Sequence, residues 1–215
     1  MTGPTVLAFD TSMAHCAAGL MVGGTVSLRL DEMAKGQAEH LMPMLQDMLT
    51  EAGLNWRDLD GVGVGIGPGN FTGIRIAVSA ARGLALGLGI PAVGVSTLDA
   101  LALGRANCIT ALPAPRAQVY LQDFIAGGPP LLFNPETDVL QDVPAGITAT
   151  LVAPDAPQLA DRFGLNAARP TYALPEAIAR IAARRLHEGG PAPAPLYLRP
   201  ADAAPPKDAA PVLLG

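Results

Sequence analysis

Gly61-Val62-Gly63-Val64-Gly65-Ile66-Gly67-Pro68-Gly69-Asn70-Phe71-Thr72-Gly73 is the stretch on which the fold turns. Val62, Val64 and Ile66 alternate with glycines, a period of two that predicts a strand with one apolar face and one face bare of side chains. A bare face predicts that another element lies close against the backbone there. The loop Pro68–Gly73 leads into a predicted helix from Ile74 to about Leu88. Its core stripe is Ile74, Ala77, Val78, Ala81, Leu84, Ala85 and Leu88, and its polar strip is Arg75, Ser79 and Arg82. The remaining side, Ile76, Ala80, Gly83 and Gly87, is small and apolar, so the helix is expected to be covered on both sides.

Upstream, three apolar runs predict a strand meander: Val6–Phe9, Ala17–Val22 and Thr25–Leu30, the last two joined by a Gly23-Gly24 hairpin turn. Glu39–Ala52 predicts a helix with apolar positions at the i, i+3, i+4, i+7 spacing, followed by a capped turn at Asn55–Asp58. Downstream, Ala92–Val95 predicts a strand and Ser96–Asp99 the capped start of a short helix. The order is that of an α/β lobe with a mixed sheet. The second half is plainer, with strands predicted at Ile109–Leu112 and Ala117–Phe124 and helices at Asp155–Phe163 and Pro175–Glu188. A Pro/Ala-rich tail follows, with one ordered island at Leu196–Pro200.

With 215 residues, half of them hydrophobic and 15% charged, the chain can bury a sizeable core. Aromatics are only 4%, so that core is aliphatic. A net charge of −5, and no basic cluster beyond Arg180, Arg184 and Arg185 on one helix, speaks against independent binding to nucleic acid. Cys16 and Cys108 sit in separate apolar segments and read as inert thiols of a reduced, cytoplasmic protein. No Lys or Arg precedes Arg29, unlike a signal peptide. Pro91 and glycines break the uncharged stretch Gly83–Leu98, which does not read as a membrane span.

Residues that could carry chemistry are few. His15, His40 and His187 lack metal-ligand spacing, and no metal site is expected. Ser96 reads as a helix cap, because the second glycine of a nucleophile elbow is missing after it. The Gly65–Thr72 loop has no Lys-Ser/Thr after it and is not a P-loop. Free N–H groups at the helix start, around Gly67, Gly69, Asn70, Thr72 and Gly73, with Arg75 close by, suit an anion. The same glycines suit better a tight loop that holds helix and sheet close, and both readings stay open. Asp10-Thr11-Ser12 after the first strand stands where actin-like ATPases contact phosphate and metal, but no matching acidic loop occurs in the second half. Met42, Met44 and Met48 beside Leu41, Leu45 and Leu49 suit either an adaptable partner surface or a core.

These segments resemble a known family, the dimerisation subunit (TsaB) of the bacterial machinery that makes threonylcarbamoyladenosine in tRNA. The resemblance is carried by Leu7–Ser12, Ala38–Leu49, Gly63–Arg75, Ile90–Leu98 and Pro195–Pro200, and is collinear over about residues 5–103. It implies two actin-like (RNase H-like) lobes with mixed sheets, at 1–103 and, reduced, at 104–202, with a tail at 203–215. It implies a chain without catalytic residues that binds a larger, histidine-bearing catalytic paralogue and joins a small ATPase. Such a chain meets tRNA only indirectly, does not contact membrane, and forms a homodimer when alone. The implied contact falls on the helices 39–52 and 74–88, through Leu41, Met42, Met44, Leu45, Met48, Leu49, Arg75, Ser79 and Arg82. Asp10, Thr11, Ser12, Gly67, Gly69, Asn70, Thr72 and Gly73 are the implied remnant of a nucleotide site, which holds ATP, if at all, only with partners. Asn70 replaces the family's serine, Gln37 its common histidine, and Pro113–Arg116 lacks the family's acidic residue. The competing readings are a glycoprotease-like hydrolase and an actin-like small-molecule kinase.

Overall fold

The computed structural model describes residues 3–140 and 148–199. The glycine-rich strand is β4 (Gly61–Gly65), inside a five-stranded sheet of order β3-β2-β1-β4-β5. The other strands are β1 (Val6–Asp10), β2 (His15–Val22), β3 (Thr25–Glu32) and β5 (Ala92–Val95). β1, β2 and β3 form the expected antiparallel meander, and β4 and β5 add in parallel beside β1. Gly23 and Gly24 have φ of 58° and 90°, which only a residue without Cβ adopts freely, and so close the hairpin.

Two layers of helix cover this sheet. α1 (Gln37–Glu51) and α2 (Phe71–Leu88) lie on one face, where Leu7, Phe9, Val62 and Val64 meet Leu45, Leu49, Ile74 and Val78. α5 (Leu174–Arg185) lies on the other, against Val6, Ala8 and Met21. α5 is what the bare face of β4 was made for. A Cβ on Gly63 would stand 2.9 Å from Ala182 Cβ and 3.1 Å from Ile178 Cγ2, and one on Gly61 would overlap Leu186.

The second sheet has the order β10-β9-β6-β7-β8. Its strands are β6 (Cys108–Pro113), β7 (Val119–Asp123), β8 (Leu131–Phe133), β9 (Thr150–Val152) and β10 (Asn166–Ala168). Read from β8, it repeats the order and strand directions of the first sheet. α4 (Ala156–Phe163) joins β9 to β10 as α2 joins β4 to β5. The three-residue strands β8, β9 and β10 were not expected, since so short a run shows no periodicity.

The sequence boundary at 103/104 does not divide the packing. α3 (Thr97–Ala102), from the first half, packs on β6 of the second sheet, while α5, from the second half, packs on the first. Each sheet thus has a helix supplied by the other half of the chain. The expected tail at 203–215 lies outside the described residues.

α2 starts at Phe71, three residues before the expected Ile74, because Asn70 caps it: Asn70 Oδ1 accepts from Gly73 N at 2.9 Å. Its buried face is Ile74, Ala77, Val78 and Ala81. By length and composition it is the one described helix that could cross a membrane, yet that face packs on β4 and β1. Its second apolar side is not covered within the chain, contrary to expectation; space is open around Gly83 and Gly87.

Gly63→Val puts branched methyls where α5 already touches the strand. Overpacking of this kind is expected to cost about 1–3 kcal/mol. Thermal unfolding should then show a midpoint lower by about 2–4 °C per kcal/mol. A midpoint equal to that of the parent would mean that α5 does not lie on β4.

Candidate functional site

Two regions hold the residues singled out in the sequence. At the first, the end of β1 meets the start of α2. Asp10, Thr11 and Ser12 are fully buried. Ser12 N and Ser12 Oγ donate to Asp10 Oδ1 at 2.9 and 2.8 Å, and His15 Nε2 lies 3.1 Å from the same oxygen. Thr11 Oγ1 donates to Gly73 O at 2.6 Å, and Asn70 N donates to Ser12 O at 2.7 Å.

The glycines are set by contact. A Cβ on Gly65 would overlap the Asp10 carboxylate, one on Gly73 would overlap Thr11 O, and one on Gly69 would lie 2.6 Å from Ser12 O. Gly67 has φ 96° and its carbonyl accepts from Thr97 N at 2.9 Å. Asn70 and Thr72 are the exposed members of this set. The structure therefore brings Asp10, Thr11, Ser12, Gly67, Gly69, Asn70 and Gly73 together as a clamp between strand and helix. Within it the Thr11 hydroxyl, the Gly73 N–H and one Asp10 oxygen are already bonded, while Asp10 Oδ2 has no partner among the described residues.

The second region is the outer surface of α1 and α2. Here the structure corrects part of the expectation. Leu41, Met44, Leu45, Met48 and Leu49 do not face outward; they form the core stripe of α1 against the sheet. A stripe at i, i+3, i+4 must bury itself somewhere, and the chain's own sheet takes it. Met42, Arg75, Ser79 and Arg82 are the expected contact residues that remain at the surface.

Between the helices runs an open apolar groove of about 780 Å³, lined by Met42, Pro43, Gln46, Trp56, Ala80, Gly83, Leu84, Gly87 and Leu88. Trp56 Nε1 donates to Gln46 Oε1 at 2.6 Å and fixes one wall. Gln46, Trp56 and Leu84 were not foreseen as surface residues of a site. The signal for them was the Ala80, Gly83, Gly87 side of α2, whose missing side chains leave the groove its depth.

Arg75 is held by the chain's own C-terminal segment. Its Nε donates to Tyr197 Oη at 2.8 Å, and its guanidinium lies 4.7 Å from the centre of the Phe71 ring. The rings of Phe71 and Tyr197 stack in parallel at 4.0 Å, and Leu196 N donates to Ile66 O at 2.8 Å. The ordered island expected in the tail is thus docked beside the start of α2.

Two mixed sheets of like strand order that exchange a helix define an actin-like α/β protein of two lobes. The same fold is seen in the ethanolamine utilization protein EutJ from Carboxydothermus hydrogenoformans, at a TM-score of 0.52 and 12% identity over 83% of this chain and 90% of that one. Much closer is YeaZ from Pseudomonas aeruginosa, with a TM-score of 0.70 and 29% identity over 91% of this chain and 100% of that one.

In sequence, the Mycobacterium tuberculosis (strain ATCC 25618 / H37Rv) protein Rv3421c is 35% identical over 208 residues, covering 94% of each chain. The tRNA threonylcarbamoyladenosine biosynthesis protein TsaB of Escherichia coli (strain K12) is 38% identical over 125 residues, 55% of this chain. That match spans about half of the Escherichia coli protein, 54%. Residues 31–128 match the family model described as TsaD: tRNA N6-adenosine threonylcarbamoyltransferase. Together these matches support a TsaB-like protein.

Because Leu45 and Met48 are core residues, Leu45→Asp with Met48→Asp buries two carboxylates without partners. It is expected to unfold the first lobe rather than to detach a partner, read as loss of the cooperative circular-dichroism transition. Met42→Asp, at a position 38% exposed, should leave that transition in place.

Cys16 is fully buried, and burial, then Asp31 and Asp10, push its thiol up to about 11. Between the unfolded thiol's value, about 8.5, and 11 the unfolded chain has lost a proton that the folded chain keeps, so stability falls as pH rises through that window. Denaturant midpoints at pH 8 and pH 10 should show the fall, and Cys16→Ala should flatten it; equal slopes in parent and variant would exclude this origin.

Proposed function

We propose that this chain is a non-catalytic, partner-binding subunit in the pathway that makes threonylcarbamoyladenosine in tRNA. Its partner is a larger, histidine-bearing paralogue of the same fold class, which carries the transfer chemistry. The observation that carries this reading is the open apolar groove on α1 and α2, in a TsaB-like chain. The groove has small residues on its floor and Met42, Trp56 and Leu84 at its walls, a surface fit to receive the side chains of another helix pair. With no partner present, a second copy of the chain is expected to take its place.

A net charge of −5 supports a subunit that meets tRNA through its partner. A small ATPase of the same assembly, ATP held only in the complex, and a cytoplasmic setting complete the proposal. The hydrolase and kinase readings draw no comparable support. Among the described residues no three of His, Cys, Asp and Glu converge on a metal-sized site, and Thr11 Oγ1 is bonded to Gly73 O.

Gly83→Glu tests the groove. The position lies in the helix interior with open space around it, so the change should not lower stability and gains helix propensity, about 0.5–1 kcal/mol. The variant is expected to unfold at the parent's temperature or above and to lose co-purification with the larger paralogue. Threonylcarbamoyl transfer, measured with the paralogue in the presence of this chain, should fall to the level seen without it. Undiminished pairing and transfer would sink the proposal.

A further inference from the structure

β3 is the outermost strand of the first sheet, and at eight residues it is twice as long as β5, with four, at the opposite edge. The edge strands of the second sheet, β8 and β10, have three residues each. Proteins keep edges short, or block them with charge, proline or a covering element, because an open edge is a template for another strand. Along Thr25–Leu30 the one charge on β3 is Arg29. The strand has no proline, and among the described residues no strand lies beyond it.

Two of its three charged residues are turned to its own chain, Arg29 pairing with Glu51 and Asp31 with His40, both on α1, while Glu32 is exposed at its end. The other face carries Leu28 and Leu30, 48% and 60% exposed, beside half-buried Val26. That face is the α5 side of the sheet, since Leu28 stands opposite Gly19, whose Cβ would meet Pro175 O at 3.0 Å.

We propose that β3 pairs antiparallel with β3 of a second copy of this chain, about a two-fold axis at Leu28. Residues directly opposite in an antiparallel pair share a face, so the registers that keep the leucines together are those centred on a residue. Centred on Leu28, Leu28 faces the second copy's Leu28, Val26 faces its Leu30, Ser27 its Arg29 and Thr25 its Asp31. Both apolar rows then join, and no like charges oppose. Centring on Arg29 sets two guanidinium groups opposite each other, and centring on Leu30 shortens the pairing and sets Leu28 against Glu32. The pairing uses none of the residues that line the α1–α2 groove, so it does not depend on what occupies the groove. An assembly can use both, which would double any complex formed through the groove.

Sedimentation equilibrium of the full chain across the micromolar range tests this, with Gly83→Glu present to disable the groove. The expected result is a dimer that persists in Gly83→Glu and is weakened at least tenfold by adding Leu28→Lys or Leu30→Lys. Mild oxidation of Gly83→Glu with Leu28→Cys should yield a reducible dimer, because opposed strand residues lie within disulfide reach. Val22→Cys, exposed but outside the register, should not. A Gly83→Glu chain that is monomeric at every concentration overturns the proposal, as does association untouched by both lysine variants. The cysteine arm stands even if a lysine variant fails to fold.

Discussion

The contact between α5 and the bare face of β4 is the constraint on which the rest depends. An α-helix can come within methyl contact of a strand only where the strand has no side chains, and Gly61 and Gly63 supply that. Ile178, Ala182 and Leu186 then seal one side of the sheet, while Val62 and Val64 point to the other side and anchor α1 and α2. Because α5 comes from residues 174–185, the first sheet is closed only by the last described helix. A fragment ending near residue 103 would leave this face open. The exchange of α3 for α5 makes the two halves one folding unit, although each sheet keeps its own strand order.

The same use of glycine recurs a turn later and decides the character of the β1–α2 junction. Gly65, Gly69 and Gly73 let Asp10-Thr11-Ser12 press against the loop, and the Thr11 and Ser12 hydroxyls and one Asp10 oxygen are taken up internally, while Asp10 Oδ2 has no partner among the described residues. The glycine-rich loop thus forms a close clasp between helix and sheet.

What faces outward follows from what the sheet takes inward. The sheet absorbs the leucine and methionine stripe of α1 and the Ile74–Ala81 face of α2. The flanks left over, Met42 and Gln46 on one helix and Ala80, Gly83 and Gly87 on the other, bound an apolar groove with no cover among the described residues. The docked segment Leu196–Tyr197 occupies Arg75 and Phe71 at the start of α2 and so confines the open surface to the middle and end of that helix.

By itself the sequence determined the first sheet with its meander, the two helices that follow, the bare strand face and the caps at Asn55 and Ser96. All of these rest on local periodicity, glycine spacing or side chains that bond within a few residues. It also carried the likeness to TsaB, through the Gly63–Arg75 and Ile90–Leu98 segments. Only the tertiary structure decided which element fills the bare face of β4, since Gly61 and Leu186 are distant in the chain and nothing local to either names the other. The same holds for the three-residue strands β8, β9 and β10, which are held by neighbours across the sheet rather than by propensity. It holds too for the two roles of α1. Periodicity shows that a helix has an apolar stripe, but whether that stripe meets the chain's own sheet or a partner depends on what the fold sets opposite it.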